Sequence, residues 1–390
     1  PIVERLTDVD THVSLAAMDA LGDHCMDDQD ITTRVLAEAV TPDSLYWHRS
    51  THAFLTLARR APDRAEMSME AFETHPSWWV RMYAARAAGA MQDVVHLDKL
   101  AYDVNDNVRE ATLVPLRRFK KFDADPAIAA SLNSHDVQLL RTAALLLKES
   151  PHSHYLFRPL IGALMRLTAE GKETSRDARI PLLDAIEVHI QPTEWPELKP
   201  LLKDFDPRVA TKAADLITRL TGKTTTAEPA LRSRGWPAEF NRPRDKCVTV
   251  QMSYGGAFIL DMDWSAPITV DRFLKLATKD HYYDGLTFHR VVPNFVIQGG
   301  GPGANEYSGQ KDYMRDEISP LRSHVRGTVG LSTRGRNTAD AQFFVNLVDN
   351  PRLDLDYTIF ASVRDMAVVD KIEEGAEIRS IVLGCASKLR

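Results

Sequence analysis

Cysteine is scarce: Cys25, Cys247 and Cys385 are the only three, widely spaced, with no CxxC pair and no histidine cluster nearby. Neither a disulfide framework nor a zinc site is expected from so few and so scattered thiols. Long apolar runs are missing as well, none reaching the roughly 18 residues of a membrane span. The first residues lack a basic segment followed by an apolar one, so a soluble protein is expected, cytoplasmic or periplasmic. Because the chain opens on Pro1 rather than Met, a processed or truncated N-terminus is also expected. There is no basic excess: 48 Lys and Arg against 54 Asp and Glu give a net charge of -6, which argues against nucleic acid as a partner. What is present is ample apolar material, 44% of 390 residues, with 26% charged. That balance excludes wholesale disorder, and the length exceeds what one core usually organises.

From the start to about Leu220 glycine is scarce, and Ala, Leu, Arg and Glu dominate. Apolar residues recur with helical period, as at Val80, Tyr83, Ala84, Ala87 and Ala88, and predict an all-α region. A phrase repeats within it: a polar or proline-bearing turn, a β-branched residue or Leu beside Arg, then Ala one helical step on. It occurs at Pro76 to Arg81 with Ala84, Asp106 to Arg109 with Ala111, Asp136 to Arg141 with Ala143, and Asp206 to Val209 with Ala213. A degenerate copy falls near Arg179 and Ile180. The spacing of roughly 28 to 35 residues is one helical hairpin per repeat, as in an α-solenoid. Asp or Asn caps each helix, Ala lets helices approach, and Arg reaches an acidic neighbour along the stack. The pattern resembles a short form of HEAT repeat, and implies a protein partner on residues 1–220. The alternative is an irregular helical bundle.

Residues 221–245 sustain neither period and are rich in Thr, Pro and Arg, as expected of a semi-extended, partly docked linker. A linker that plugged a site with Trp236 would imply autoinhibition. From Lys246 to Arg390 the period shifts towards two. Lys246 to Met252 and Ala257 to Met262 alternate around Gly255 and Gly256 and predict a hairpin. A helix with Pro267 near its start follows, and the last strand is placed at Ile378 to Leu383. Short strands separated by Gly, Pro, Asn and Asp predict a closed antiparallel barrel with one or two capping helices. Residues 246–390 carry 17 basic and 18 acidic groups, so nearly all the net charge lies on the helical part.

The run from Tyr282 to Gly300 holds Phe288, His289, Arg290, Phe295, Val296 and Gln298, and a second run holds Gly327, Gly330 and Ala341 to Asn346. Read as chemistry, a permanent cation among apolar strand positions wants an acceptor. Phe295, Phe344 and Gln298 offer two aromatic walls and one amide, suited to an apolar ring joined to a peptide backbone. In order and spacing the two runs closely resemble the cyclophilin family of peptidyl-prolyl isomerases, over roughly 145 residues. The resemblance implies isomerisation of X-Pro bonds in peptide or protein clients, with no metal and no cofactor. Arg290 then matches the catalytic arginine, with Gln298 orienting the substrate carbonyl and Phe295 beside them. Val296, Phe344 and Leu353 match the proline pocket, Thr333 the backbone that holds the preceding residue, and Tyr357 the rim. Gln342 is grouped with the substrate-binding residues.

Departures from the best-known eukaryotic pattern are Val296 for a methionine, Tyr357 for a histidine and Arg352 for a tryptophan. They imply a shallower pocket and weak cyclosporin binding, while Arg334, Arg336 and Arg352 imply a cationic rim that favours acidic flanking residues. Arg290 has a plainer reading, as a structural ion-pair residue with Glu317 or Asp316. A non-catalytic adaptor that captures proline loops, or a scaffold subunit, remains open. Other motifs fail: Gly299 to Gly303 lacks a phosphate-loop ending, Gly330 to Arg334 lacks the elbow glycine, and Asp103 to Asn107 lacks the distal calcium-loop glutamate. His152 and His154 form a lone pair in a connecting segment.

Overall fold

The computed structural model describes residues 2–23, 35, 37–38, 42, 46–151, 155–232 and 247–385. Cys25, His152, His154 and Trp236 lie outside the described residues. The chain divides into two compact units, Pro1–Gly171 with Ser175–Arg232, and Lys172–Thr174 with Ser233–Arg390.

The first unit is helical. Its main helices are α1 (Thr11–Asp23), α2 (Trp47–Arg60), α3 (Trp78–Met91), α4 (Asp106–Arg117), α5 (Val137–Leu147), α6 (Arg176–His189) and α7 (Pro207–Thr221), and each packs on the next. α7 shows why: Val209, Ala210, Ala213, Ala214, Leu216 and Ile217 are buried along one stripe, the face that a period of 3.6 brings together. Asp136 and Asp206 cap α5 and α7 by accepting backbone N–H bonds, as the repeated phrase predicts. For α4 the cap is Asn105, one residue earlier than the phrase, and Ser77 makes no side-chain cap for α3. Arg81 reaches Asp103 at 2.7 Å, and Arg179 makes two bonds to Asp204 of 2.8 and 2.9 Å with both side chains wholly buried. Beyond α7 the chain lies on this unit, with the Thr225 N–H on Thr218 and the Glu228 N–H on the Leu202 carbonyl.

The second unit is a nine-stranded antiparallel sheet. Its strands are β1 (Cys247–Met252), β2 (Ala257–Met262), β3 (Thr287–Phe288), β4 (Arg290–Val292), β5 (Val296–Gly299), β6 (Thr328–Leu331), β7 (Phe343–Asn346), β8 (Ile359–Val363) and β9 (Ala376–Leu383). They run in the order β3-β9-β1-β2-β8-β6-β7-β5-β4. The two ends of that order, β3 and β4, are consecutive in the chain with only His289 between them, so the sheet nearly closes into a barrel. The expected β1–β2 hairpin is present, with Gln251 facing Ala257 across the turn. Val248, Leu260, Phe288, Ile297, Val329, Phe343, Phe360 and Ile378 fill the interior, and Val270, Phe273 and Leu274 of α8 (Pro267–Thr278) pack onto this core. Glu317 accepts the Ile268 and Thr269 N–H groups, placing a carboxylate on the positive end of α8.

The scarcity of cysteine is misleading in one respect. Cys247 at the start of β1 and Cys385 just after β9 form a disulfide, with their Cα atoms 5.5 Å apart. β9 lies beside β1, so the sheet topology brings together two residues that the sequence keeps apart.

Candidate active site

Strand register builds the site. Arg290 of β4 faces Gln298 of β5, Gln298 faces Phe344 of β7, and Phe344 faces Gly330 of β6. Directly opposed residues in antiparallel strands share a face of the sheet, so a guanidinium, an amide and an aromatic ring stand in one row. Gly330 ends the row because nothing larger fits: a Cβ there would collide with the Phe344 ring. The next residues along, Ile297 and Phe343, turn into the barrel core. The same period of two that packs the interior thus aims the site outward.

A cavity of about 430 Å³ lies over this row, lined by Arg290, Phe295, Val296, Gln298, Thr333, Phe344, Leu353 and Tyr357 among others. Of the residues singled out from sequence, Gln342 is the exception. It is wholly buried behind the lining, where its Oε1 accepts from Gln298 at 3.0 Å and its Nε2 donates to the carbonyls of Asn305, Glu306 and Ser308. Gln342 therefore steadies Gln298 and the 305–308 loop and is not part of the cavity wall. The other Nε2 bond of Gln298 goes to Ser332 at 3.1 Å. Sequence reasoning missed Glu306, Tyr307 and Ser332 as lining residues.

Arg290 does form an ion pair, but with Glu306, Nε to Oε1 at 3.1 Å, and not with Glu317 or Asp316. Glu317 is committed to the start of α8, and Asp316 exchanges bonds with Asn337. The pair is about a third exposed on the arginine side and half exposed on the glutamate side, and Arg290 still lines the cavity. Its guanidinium carbon lies 5.8 Å from the centre of the Phe295 ring. Among the described residues only Nε is paired, which leaves the terminal Nη donors for a ligand.

The rim is less cationic than the sequence implies. Arg334 is mostly buried and paired with Asp340 at 3.1 Å, and Arg336 lies 3.4 Å from Asp356. Arg352, by contrast, stacks over Phe295 at 4.3 Å, covering one aromatic wall with a cation.

Next to Arg290 in the chain, His289 is buried with neither ring nitrogen making a hydrogen bond among the described residues. Burial pushes its pKa down from 6.5 to about 4, outweighing the pull of the Thr287 backbone towards the cation, with Arg290 adding repulsion. The neutral ring is favoured in the fold while the unfolded chain protonates near 6.5. This contribution is complete above that pH and is lost as pH falls through the folded value. Across that window the barrel is expected to lose about 3 kcal/mol. Urea midpoints at pH 7.5 and 4.5 check this, and His289→Gln should flatten the difference; equal slopes for both proteins would refute it.

Residues 247–382 match the family model described as cyclophilin type peptidyl-prolyl cis-trans isomerase. The chain is 39% identical over 121 residues to a peptidyl-prolyl cis-trans isomerase of Helicobacter pylori, covering 30% of this chain and 74% of that protein. It is 37% identical over 145 residues to peptidyl-prolyl cis-trans isomerase B of Escherichia coli, covering 34% and 87%. To peptidyl-prolyl cis-trans isomerase ppi1 of Schizosaccharomyces pombe it is 42% identical over 120 residues, covering 30% and 77%. With the row from Arg290 to Gly330 set in a nearly closed antiparallel barrel, the chain belongs to the cyclophilin-type peptidyl-prolyl cis-trans isomerases.

Proposed function

We propose that Arg290, Gln298 and the walls formed by Phe295, Val296, Phe344, Leu353 and Tyr357 isomerise X-Pro bonds of protein clients, which the helical unit recruits or orients. The observation that carries the first half is the row itself, a cation about a third exposed beside a cavity with aromatic walls, with terminal donors to spare. An X-Pro bond has cis and trans forms of similar energy separated by about 18 to 20 kcal/mol of lost amide resonance. In the twisted state the prolyl nitrogen regains a lone pair, and a guanidinium N–H placed against it stabilises that state over both planar ones. The proline ring rests between Phe295, Phe344 and Leu353. The substrate carbonyl takes the Gln298 N–H now given to Ser332, and the backbone of Thr333 holds the preceding residue.

The second half rests on the repeated capping phrase and on the Arg81–Asp103 and Arg179–Asp204 pairs, which join successive turns of the helical unit. These regularities support HEAT-like repeats over residues 1–220, and such arrays present extended surfaces to partners. A client held there raises the effective concentration of its prolines at the barrel. Exchange NMR on a short Ala-Pro peptide should show accelerated cis/trans exchange with the full chain and equally with residues 222–390. A folded client should be turned over more slowly by the shortened protein. Equal rates on the client would remove the recruitment role; no acceleration of peptide exchange would leave an adaptor that only binds proline loops.

A further inference from the structure

Behind the aromatic wall of the cavity lies a histidine that the catalytic reading does not use. His324 is wholly buried, and its ring stacks on Phe344 with centroids 5.6 Å apart and planes 24° from parallel. It also meets the Tyr357 ring edge-on. Its Nε2 is 3.3 Å from the Tyr357 carbonyl and its Nδ1 is 3.2 Å from Asn346 Nδ2. Backbone carbonyls fix which atoms donate. Asn350 Nδ2 donates to the Phe295 carbonyl and to Asn346 Oδ1, and Asn346 Nδ2 donates to the Thr328 carbonyl. The two Nδ2 protons of Asn346 are shared among the Thr328 carbonyl, the Thr328 hydroxyl and His324, so this group cannot accept from Nδ1, and the ring proton sits on Nε2, donating to the Tyr357 carbonyl.

We infer that His324 is a positioning residue for the isomerase: its neutral Nε2–H tautomer ties Phe344, Tyr357 and, through Asn346 and Asn350, Phe295 into one wall, which protonation disrupts. This rests on the catalytic reading of the cavity. A second proton on Nδ1 would face the Asn346 amino group, donor against donor. Asn346 cannot turn over to relieve this, because its Oδ1 would then face the Thr328 carbonyl and lose Asn350. The charged groups around the ring act in both directions. Asp354 accepts the His324 backbone N–H at 2.7 Å and favours the cation, whereas Arg322, which lines the same small cavity and pairs with Asp263, opposes it. Burial outweighs the Tyr357 bond and Asp354, and lowers the pKa of His324 from 6.5.

The full chain, labelled with 15N at histidine, is titrated while exchange NMR follows a blocked Ala-Pro peptide. At pH 7.5 the long-range 15N spectrum of His324 should show a bare Nδ1 and a protonated Nε2. As that ring titrates, below 6.5, kcat/KM should fall at least tenfold with the same midpoint. His324→Phe keeps the stacking and loses the proton site, so its profile should be flat over that range. Should this variant fail to fold, the coincidence of the two wild-type midpoints still tests the inference. An Nδ1–H tautomer, a rate indifferent to ring protonation, or an acid limb that persists in His324→Phe would overturn it. No peptide acceleration at any pH would instead overturn the isomerase reading, and this inference with it.

Discussion

Replacing Arg290 by alanine is expected to lower kcat/KM on an Ala-Pro peptide by about 10²- to 10³-fold, the loss seen when one preorganised transition-state donor is removed. The planar prolyl nitrogen is a poor acceptor because its lone pair is delocalised into the carbonyl. A donor aimed at it therefore binds the ground state weakly and the twisted state strongly, which is the difference that accelerates the reaction. About 2.7 to 4 kcal/mol of such preference corresponds to the stated loss. The fold should not suffer. Arg290 lies on β4, at one end of the sheet order, its side chain is about a third exposed, and its partner Glu306 is half exposed, so the abandoned carboxylate remains hydrated. A change of about 0.5 kcal/mol or less in stability is expected, as for other exposed pairs. Arg290→Lys should recover little, because an ammonium lacks the planar fork that bonds Glu306 through Nε while presenting Nη to the ligand. Peptide exchange NMR and a urea transition on each variant provide the check. A variant that keeps most of its rate, or loses it together with its fold, would remove Arg290 from the catalytic role.

Much of the barrel is legible in the chain because alternation and turn chemistry act locally. The β1–β2 hairpin, the helix begun by Pro267 and the outward row on β4, β5 and β7 all follow from a period of two broken by Gly and Pro. What is not legible depends on partners far along the chain. Glu306 and Tyr307 sit in a loop without period, and only the fold carries them to the cavity wall. Gln342 belongs to the same motif as Phe344 but points behind it, into a knot of loop carbonyls. Arg334 looks like a rim charge until Asp340, wholly buried, is seen to take it up. His324 carries no motif, and its place under Phe344 depends on strand order. In the helical unit the caps at Asp136 and Asp206 are local and readable, while Asn105 displaces Asp106 because either residue type can cap.

Reducing the Cys247–Cys385 bond is expected to weaken the barrel more than any single side-chain change outside the core. The bond joins residues 138 apart in sequence, and on the chain-entropy account closing so long a loop restricts the unfolded chain by about 5 kcal/mol. It also fastens the outermost turns of β1 and β9, where Gly384 already donates to the Cys247 carbonyl and the Thr249 hydroxyl to the Gly384 carbonyl. Cys247 is wholly buried, so its thiol would be left without solvent. The row from Arg290 to Gly330 lies on β4, β5, β7 and β6, none of which pairs with β1 or β9. A Cys247→Ser, Cys385→Ser protein should therefore retain its kcat/KM at low temperature without denaturant, yet unfold at a urea midpoint lower by about 2 to 5 M, given the usual slope of about 1 to 3 kcal/mol per M. Dithiothreitol should shift the wild type to the same midpoint and leave the double variant unmoved. Such bonds persist in oxidising compartments and are reduced in the cytosol, so intact-mass measurement after trapping free thiols in a fresh extract reads the compartment as well as the bond. Three trapped thiols there, Cys25 included, instead of one, together with a midpoint insensitive to reductant, would show that the strands meet without needing the link.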